Sequence, residues 1–113
     1  MEPPSLELPS CETLHLRRRG ATLFVTLNRP EVKNAMNLAM WQRLPELLAE
    51  VERDRDVKVL VLRGADARAF SAGADISEFE ELRSTPEDAR SYNDTSERAE
   101  HALLHLSKPT IAL

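Results

Sequence analysis

Apolar and polar positions change their period several times along this chain, and each change marks an element. In "ETLHLRRRGATLFVTLNRP", Leu14 and Leu16 alternate with polar neighbours, Arg18 continues the alternation, and "ATLFVTL" is rich in β-branched and aromatic residues. Two such runs around Gly20 predict a β-hairpin that turns near Arg19-Gly20. The basic run Arg17 to Arg19 reads as a solvated strand end. "NRPEVKNAMN" breaks the alternation with Pro30 and three asparagines, and Asn37 is placed to cap a helix. In that helix Trp41, Leu44, Leu48 and Val51 recur at spacings of three and four, which gives one apolar face. Pro45 removes a backbone hydrogen bond and crowds the preceding turn. A kink or local adjustment is expected there, not a helix end, because the apolar stripe continues past it.

"DVKVLVLRG" is the clearest strand, with Val57, Val59 and Val61 expected on one face and Leu60 and Leu62 on the other. Apolar residues on both faces are the mark of a parallel strand covered on both sides. A loop follows, and then Thr85-Pro86-Glu87-Asp88 supplies a capping hydroxyl, a proline for the first turn and acids near the positive end of the helix dipole. The helix so started turns Ala89, Tyr92, Ala99, Leu103 and Leu106 inward and stops before Lys108-Pro109. "PTIAL" begins a further strand. The order β, β, α, β, α, β is that of an α/β protein. Residues 1 to 10 hold three prolines and no periodicity, so a disordered leader is expected there, with residues 11 to 113 folded. A parallel strand needs neighbours on both sides, and this chain supplies few. The expectation is therefore the N-terminal part of a larger domain.

Composition adds limits. The 113 residues are 42% hydrophobic and 30% charged, ordinary for a globular protein, with a net charge of −4. An acidic balance gives no basic footprint for nucleic acid. Cys11 is the only cysteine, so no internal disulfide forms. Glu2 stands where a secretory signal carries basic residues, and no apolar run approaches the roughly 18 residues of a membrane span. A soluble, cytoplasmic protein without a membrane partner is expected. There are only three glycines, where average usage would give about eight.

Few side chains suggest chemistry. His101 and His105 have helical spacing, but Ala102 occupies the place of the glutamate in the metalloprotease motif, so both read as structural or exposed and no metal is expected. Cys11 has no evident partner. Glu78, Glu80 and Glu81 read as the solvated face of a short helix rather than as general bases. "GADARAFSAGAD" differs, because it follows the buried strand at its carboxyl end, where open α/β sheets place ligands. Small residues at Ser71, Ala72, Gly73 and Ala74 let a ligand approach the main chain. If a short helix starts near Ile76, the loop amides favour negative charge, such as an oxyanion developing on a carbonyl. An ordinary tight loop accounts for the same residues.

"LNRPEVKNAM", then 42 positions from Asn28 to Phe70, then "FSAGADI" and "KPTIA" together resemble the crotonase superfamily, the enoyl-CoA hydratase/isomerase family, over about residues 12 to 113. The resemblance implies ββα units around a spiral core, assembled as a trimer or a dimer of trimers. It implies an acyl-CoA thioester substrate, with no cofactor beyond the coenzyme A moiety. By resemblance the Ala74 amide is one of two oxyanion-hole donors, and Ser71, Ala72, Gly73, Asp75 and Ile76 line the pantetheine and adenine portion. The "NRPEVKNA" loop, with Lys33 and Ala35, borders coenzyme A, and a cation at Lys33 can meet a nucleotide phosphate. For Asp75 a helix-capping role is favoured over chemistry. The family's second donor and its acid/base carboxylates come after the "KPTIA" strand, so they are expected past Leu113, and the isolated chain is expected to be inactive. Hydration of a 2-enoyl-CoA is the leading reaction. Isomerase, thioesterase or decarboxylase chemistry is the alternative within the family, and a non-catalytic CoA-ester-binding or subunit-docking module is the alternative outside it.

Overall fold

The computed structural model describes residues 13–113; the expected leader at residues 1 to 10 and Cys11 lie outside them. The elements are β1 (Leu14–Arg19), β2 (Thr22–Leu27), α1 (Leu38–Arg53), β3 (Val59–Gly64), α2 (Phe79–Leu82), α3 (Pro86–Leu104) and β4 (Thr110–Ala112), with 3-10 turns at Pro30–Val32 and Ile76–Glu78. They form one sheet in the order β1-β2-β3-β4. The predicted hairpin pairs β1 with β2 antiparallel, while β3 lies parallel to β2 from Thr22↔Val59 to Leu27↔Gly64, and β4 lies parallel to β3. The parallel pairings need crossovers, and α1 and α3 supply them.

Helices α1 and α3 lie over one face of the sheet. Leu14, Leu23, Val25, Leu27, Leu60 and Leu62 from the strands meet Met40, Leu44, Leu47, Leu48 and Val51 of α1 and Ala99 of α3. Met40 and Leu47 widen the stripe read from Leu44, Leu48 and Val51, and Trp41 is only half-buried at its edge. Full burial of each such side chain favours folding by about 1.5–3 kcal/mol. The Asn37 side chain accepts from Met40 N at 2.9 Å, and α1 runs unbroken through Pro45. At its other end the Lys108 ammonium donates to the Val51 and Asp54 carbonyls, where the helix dipole favours a cation. The start of β4 is thereby fixed to the end of α1.

Three expectations need correction. Arg18 is not solvated like Arg17 and Arg19: strand alternation turns it to the helix side, where Nη1 meets Asp54 Oδ2 at 3.2 Å. Val57 does not share a face with Val61 but joins Leu60 and Leu62 in the core. The amides of Lys58 and Val59 both donate to Ala21 O, at 2.7 and 3.2 Å, and two donors on one carbonyl interrupt the pleat just before β3. Leu106 packs on the core from beyond the end of α3, not from within it. Thr85 caps α3 as read, accepting from Asp88 N at 3.0 Å. Among the described residues no helix is long and apolar enough to cross a membrane.

Candidate functional site

Two segments meet at the carboxyl ends of β2 and β3. The first, after Asn28, turns through Pro30–Val32 and then places Lys33 at φ 55° and Asn34 at φ 58°. Two successive left-handed non-glycine residues cost about 1–2 kcal/mol each unless their surroundings hold them. Asn34 supplies that hold. Its side chain is fully buried, Oδ1 accepts from Arg29 N at 2.9 Å, and Nδ2 donates to Ala69 O at 3.1 Å and Phe70 O at 3.2 Å. The second segment runs from Gly64 to Glu78. Ser71 Oγ donates to Asn34 O at 2.8 Å and accepts from Gly73 N at 3.1 Å, while Ala72 N donates to Lys33 O at 2.9 Å. One buried asparagine and one serine thus lace the two segments together.

The lacing ends in a single parallel β-bridge between Met36 and Ala74. Met36 N donates to Gly73 O at 2.7 Å, and Asp75 N donates to Met36 O at 2.9 Å. A trans peptide places its C=O and N–H on opposite sides. Anchoring the Gly73 carbonyl on Met36 therefore turns the Ala74 N–H, which belongs to the same peptide, away from Met36. No described residue accepts a hydrogen bond from it. Gly73 at φ 92° provides the backbone that the turn requires. Ala72 and Gly73 are exposed and Ala74 is half-buried.

Beyond Ala74 the carboxylates of Asp75 and Glu78 are already engaged. Asp75 is buried; its Oδ1 accepts from Ser77 N at 3.0 Å and Ser77 Oγ at 2.5 Å, and its Oδ2 accepts from Arg29 Nη1 at 2.9 Å. The Ser77 hydrogen bonds, and then the Arg29 guanidinium, hold its carboxyl below the usual aspartate range. This is the capping role read from the sequence, at the 3-10 turn that begins at Ile76. Glu78 Oε1 accepts from Leu38 N at 2.8 Å and so covers the first turn of α1. Glu80 and Glu81 are exposed.

Of the residues singled out in the sequence, Lys33 and the Ser71–Ile76 backbone come together on one rim, with the Ile76 side chain 75% exposed. Ala35 is buried beneath them, its carbonyl accepting from Arg29 Nη1 at 2.8 Å. Arg29 and Asn34 escaped the sequence reading. Their only signal was the crowding of Asn and Arg around Pro30. His101 and His105 stack 4.1 Å apart on the exposed side of α3, and no group of three metal-ligating side chains occurs among the described residues.

Comparisons with known proteins bear on the family and the fold. The family model described as enoyl-CoA hydratase/isomerase matches residues 22–113. The chain is 34% identical over 97 residues to the short-chain-enoyl-CoA hydratase of Clostridium acetobutylicum, covering 86% of this chain and 36% of the relative. Against the rat mitochondrial 3-hydroxyisobutyryl-CoA hydrolase, identity is 40% over 68 residues, covering 60% of this chain and 18% of the relative. The crystal structure of an enoyl-CoA hydratase/carnithine racemase from Magnetospirillum magneticum superposes with a TM-score of 0.86 at 42% identity, covering 91% of this chain and 39% of that one. The chain spans well under half the length of these relatives.

Proposed function

The chain belongs to the enoyl-CoA hydratase/isomerase family, and from that premise we propose that its Ser71–Ile76 loop holds an acyl-CoA thioester, with the Ala74 N–H donating to the thioester oxygen. The α/β architecture is that of the crotonase fold seen in the solved relatives. One observation carries the reading: the Ala74 amide is fixed by its own peptide's bond to Met36, faces away from it, and has no acceptor within the described residues.

In the proposed reaction, water adds across the C2–C3 double bond of a 2-enoyl-CoA. A carboxylate takes one proton from the water as its oxygen attacks C3, the electron pair moves through C2 onto the thioester oxygen, and as the enolate collapses a proton is delivered to C2. The charge develops where a preorganised amide meets it, and one such donor is worth about 3–4 kcal/mol. Asp75 and Glu78 are occupied as caps, so the second donor and the proton-handling carboxylate are taken to be residues other than these. Lys33 on the rim would meet a phosphate of the nucleotide, and the exposed Ile76 side chain offers apolar contact to adenine. Ala35, being buried, would shape the wall beneath. The reaction draws on no cofactor beyond the substrate's own coenzyme A, and the complete protein is taken as a soluble, cytoplasmic homotrimer or dimer of trimers.

Stabilising a thioester oxyanion also serves hydrolysis, double-bond migration and decarboxylation, and fold alone does not separate them. The similarity to a 3-hydroxyisobutyryl-CoA hydrolase makes thioester hydrolysis the second reading. The experiment is turnover of crotonyl-CoA by the complete protein and its Ala74→Pro variant, which lacks the amide. A fall in kcat of about 10²–10³-fold is expected. Undiminished turnover would overturn the assignment of Ala74.

A further inference from the structure

We infer that Arg29 is a positioning residue for the Ala74 donor: its guanidinium clamps the two segments on either side of the single bridge that aims that amide. The geometry is specific. Arg29 Nη1 donates to Ala35 O at 2.8 Å and to Asp75 Oδ2 at 2.9 Å. Ala35 immediately precedes Met36, and Asp75 immediately follows Ala74, so one nitrogen ties both partners of the Met36↔Ala74 bridge at their neighbours. Arg29 is itself held at its other end, where its backbone N–H donates to the buried Asn34 Oδ1 at 2.9 Å. The side chains of Arg29 and Asp75 are 17% and 11% exposed. An exposed ion pair contributes little, but a shielded, charge-assisted one holds its geometry more firmly.

The clamp matters because the bridge is weak where it must be rigid. Only two backbone hydrogen bonds form it, and no strand ladder continues on either side. Gly73 adds a backbone that visits many conformations with little penalty. If Met36 drifts from Gly73, the peptide between Gly73 and Ala74 is free to rotate, and the Ala74 N–H loses its direction. The Asp75 carboxylate cannot fix that peptide alone, since its other side-chain bonds go forward to Ser77. Arg29 is the one described side chain that reaches from the Ala35 side of the bridge to the Asp75 side. The catalytic consequence rests on the reading of Ala74 as an oxyanion donor; the geometric claim does not.

The test uses the complete protein with Arg29→Gln, Arg29→Lys and Asp75→Asn, read by amide hydrogen exchange and by crotonyl-CoA kinetics. Loss of a charge-assisted hydrogen bond predicts exchange about tenfold or more faster at the Met36 and Asp75 amides, with the β3 amides unchanged. For Arg29→Gln it also predicts a kcat about tenfold or more lower, with inhibition by free coenzyme A unaltered, and partial recovery in Arg29→Lys. Unchanged exchange at Met36 and Asp75 in folded Arg29→Gln overturns the inference. So does equal loosening of β3, which would mean a general stabilising role. If Arg29→Gln does not fold, Asp75→Asn decides by the same two criteria, because it keeps the Ser77 contacts and removes the charge. Local loosening together with an active Ala74→Pro variant would keep the clamp and remove the oxyanion reading.

Discussion

Replacing Gly64 with alanine should damage this protein at the root of its site, and the structure sets the scale. A Cβ on Gly64 would stand 2.0 Å from Ala69 O, 2.9 Å from Asn34 Nδ2 and 3.0 Å from Ala69 C. The nearest obstacle is backbone, so no side chain can swing clear. Relief requires moving the 65–69 loop, yet Ala69 O is also the acceptor of Asn34 Nδ2 at 3.1 Å. Overpacking costs about 1–3 kcal/mol. Leaving part of a buried amide unpaired adds about 1–3 kcal/mol. A loss of about 3 kcal/mol is therefore expected. Gly20→Ala is the control, because Gly20 has φ 61° and nothing within 4 Å of its Cβ. There the left-handed penalty of about 1–2 kcal/mol is partly offset by an unfolded chain with less freedom, leaving about 1 kcal/mol or less. At about 4–8 °C per kcal/mol for a domain of this size, Gly64→Ala should lower Tm by about 12 °C or more, against about 4 °C for Gly20→Ala. Circular dichroism melts of both variants decide. Equal shifts would refute the close-approach argument and with it the account of how the loop leaves β3.

Two further outcomes follow from the same geometry. Because the Ser77 bonds and Arg29 hold the Asp75 carboxyl below its usual range, its contribution to stability is complete above the unfolded value of about 3.9 and is lost as pH falls through the lower folded value; melts at acidic pH should show a shallower dependence in Asp75→Asn, and identical slopes would contradict this. Burial pushes the Tyr92 phenol up and the neighbouring Trp41 indole pulls it partly back, yet neither Tyr92 OH nor Trp41 Nε1 completes a hydrogen bond of normal geometry among the described residues; Tyr92→Phe should therefore change stability by less than about 1 kcal/mol or raise it, and a loss above about 2 kcal/mol in denaturant titration would show that the hydroxyl is fully bonded.

Where neighbours in sequence decide the structure, the chain was legible. Period-two runs located β1 and β2, the 3–4 spacing located α1, and cap chemistry at Asn37 and Thr85 located the starts of α1 and α3. Failures came where a distant group resets a local pattern. Val57 breaks the alternation of β3 because Ala21 O takes two successive amides across the sheet. Arg18 looked solvated because its partner, Asp54, lies 36 positions away. Neither fact has a local signature.

The candidate site divides along the same line. Small residues around Gly73 announced an accessible backbone, and the family resemblance pointed to one amide, but accessibility is not direction. What turns the Ala74 N–H outward is the bond between Met36 N and Gly73 O, and what steadies that bond is an arginine 46 positions from the aspartate it holds. A site whose working group is a backbone amide leaves little mark on side-chain chemistry at its own position, because every non-proline residue carries the same donor. Its specification moves to the residues that orient the peptide. In this chain those are Arg29 and Asn34, in a loop that supplies no atom to the proposed oxyanion contact. Substitutions there should therefore lower activity without touching substrate, and Arg29 is where the distinction between holding the amide and merely holding the fold can be measured.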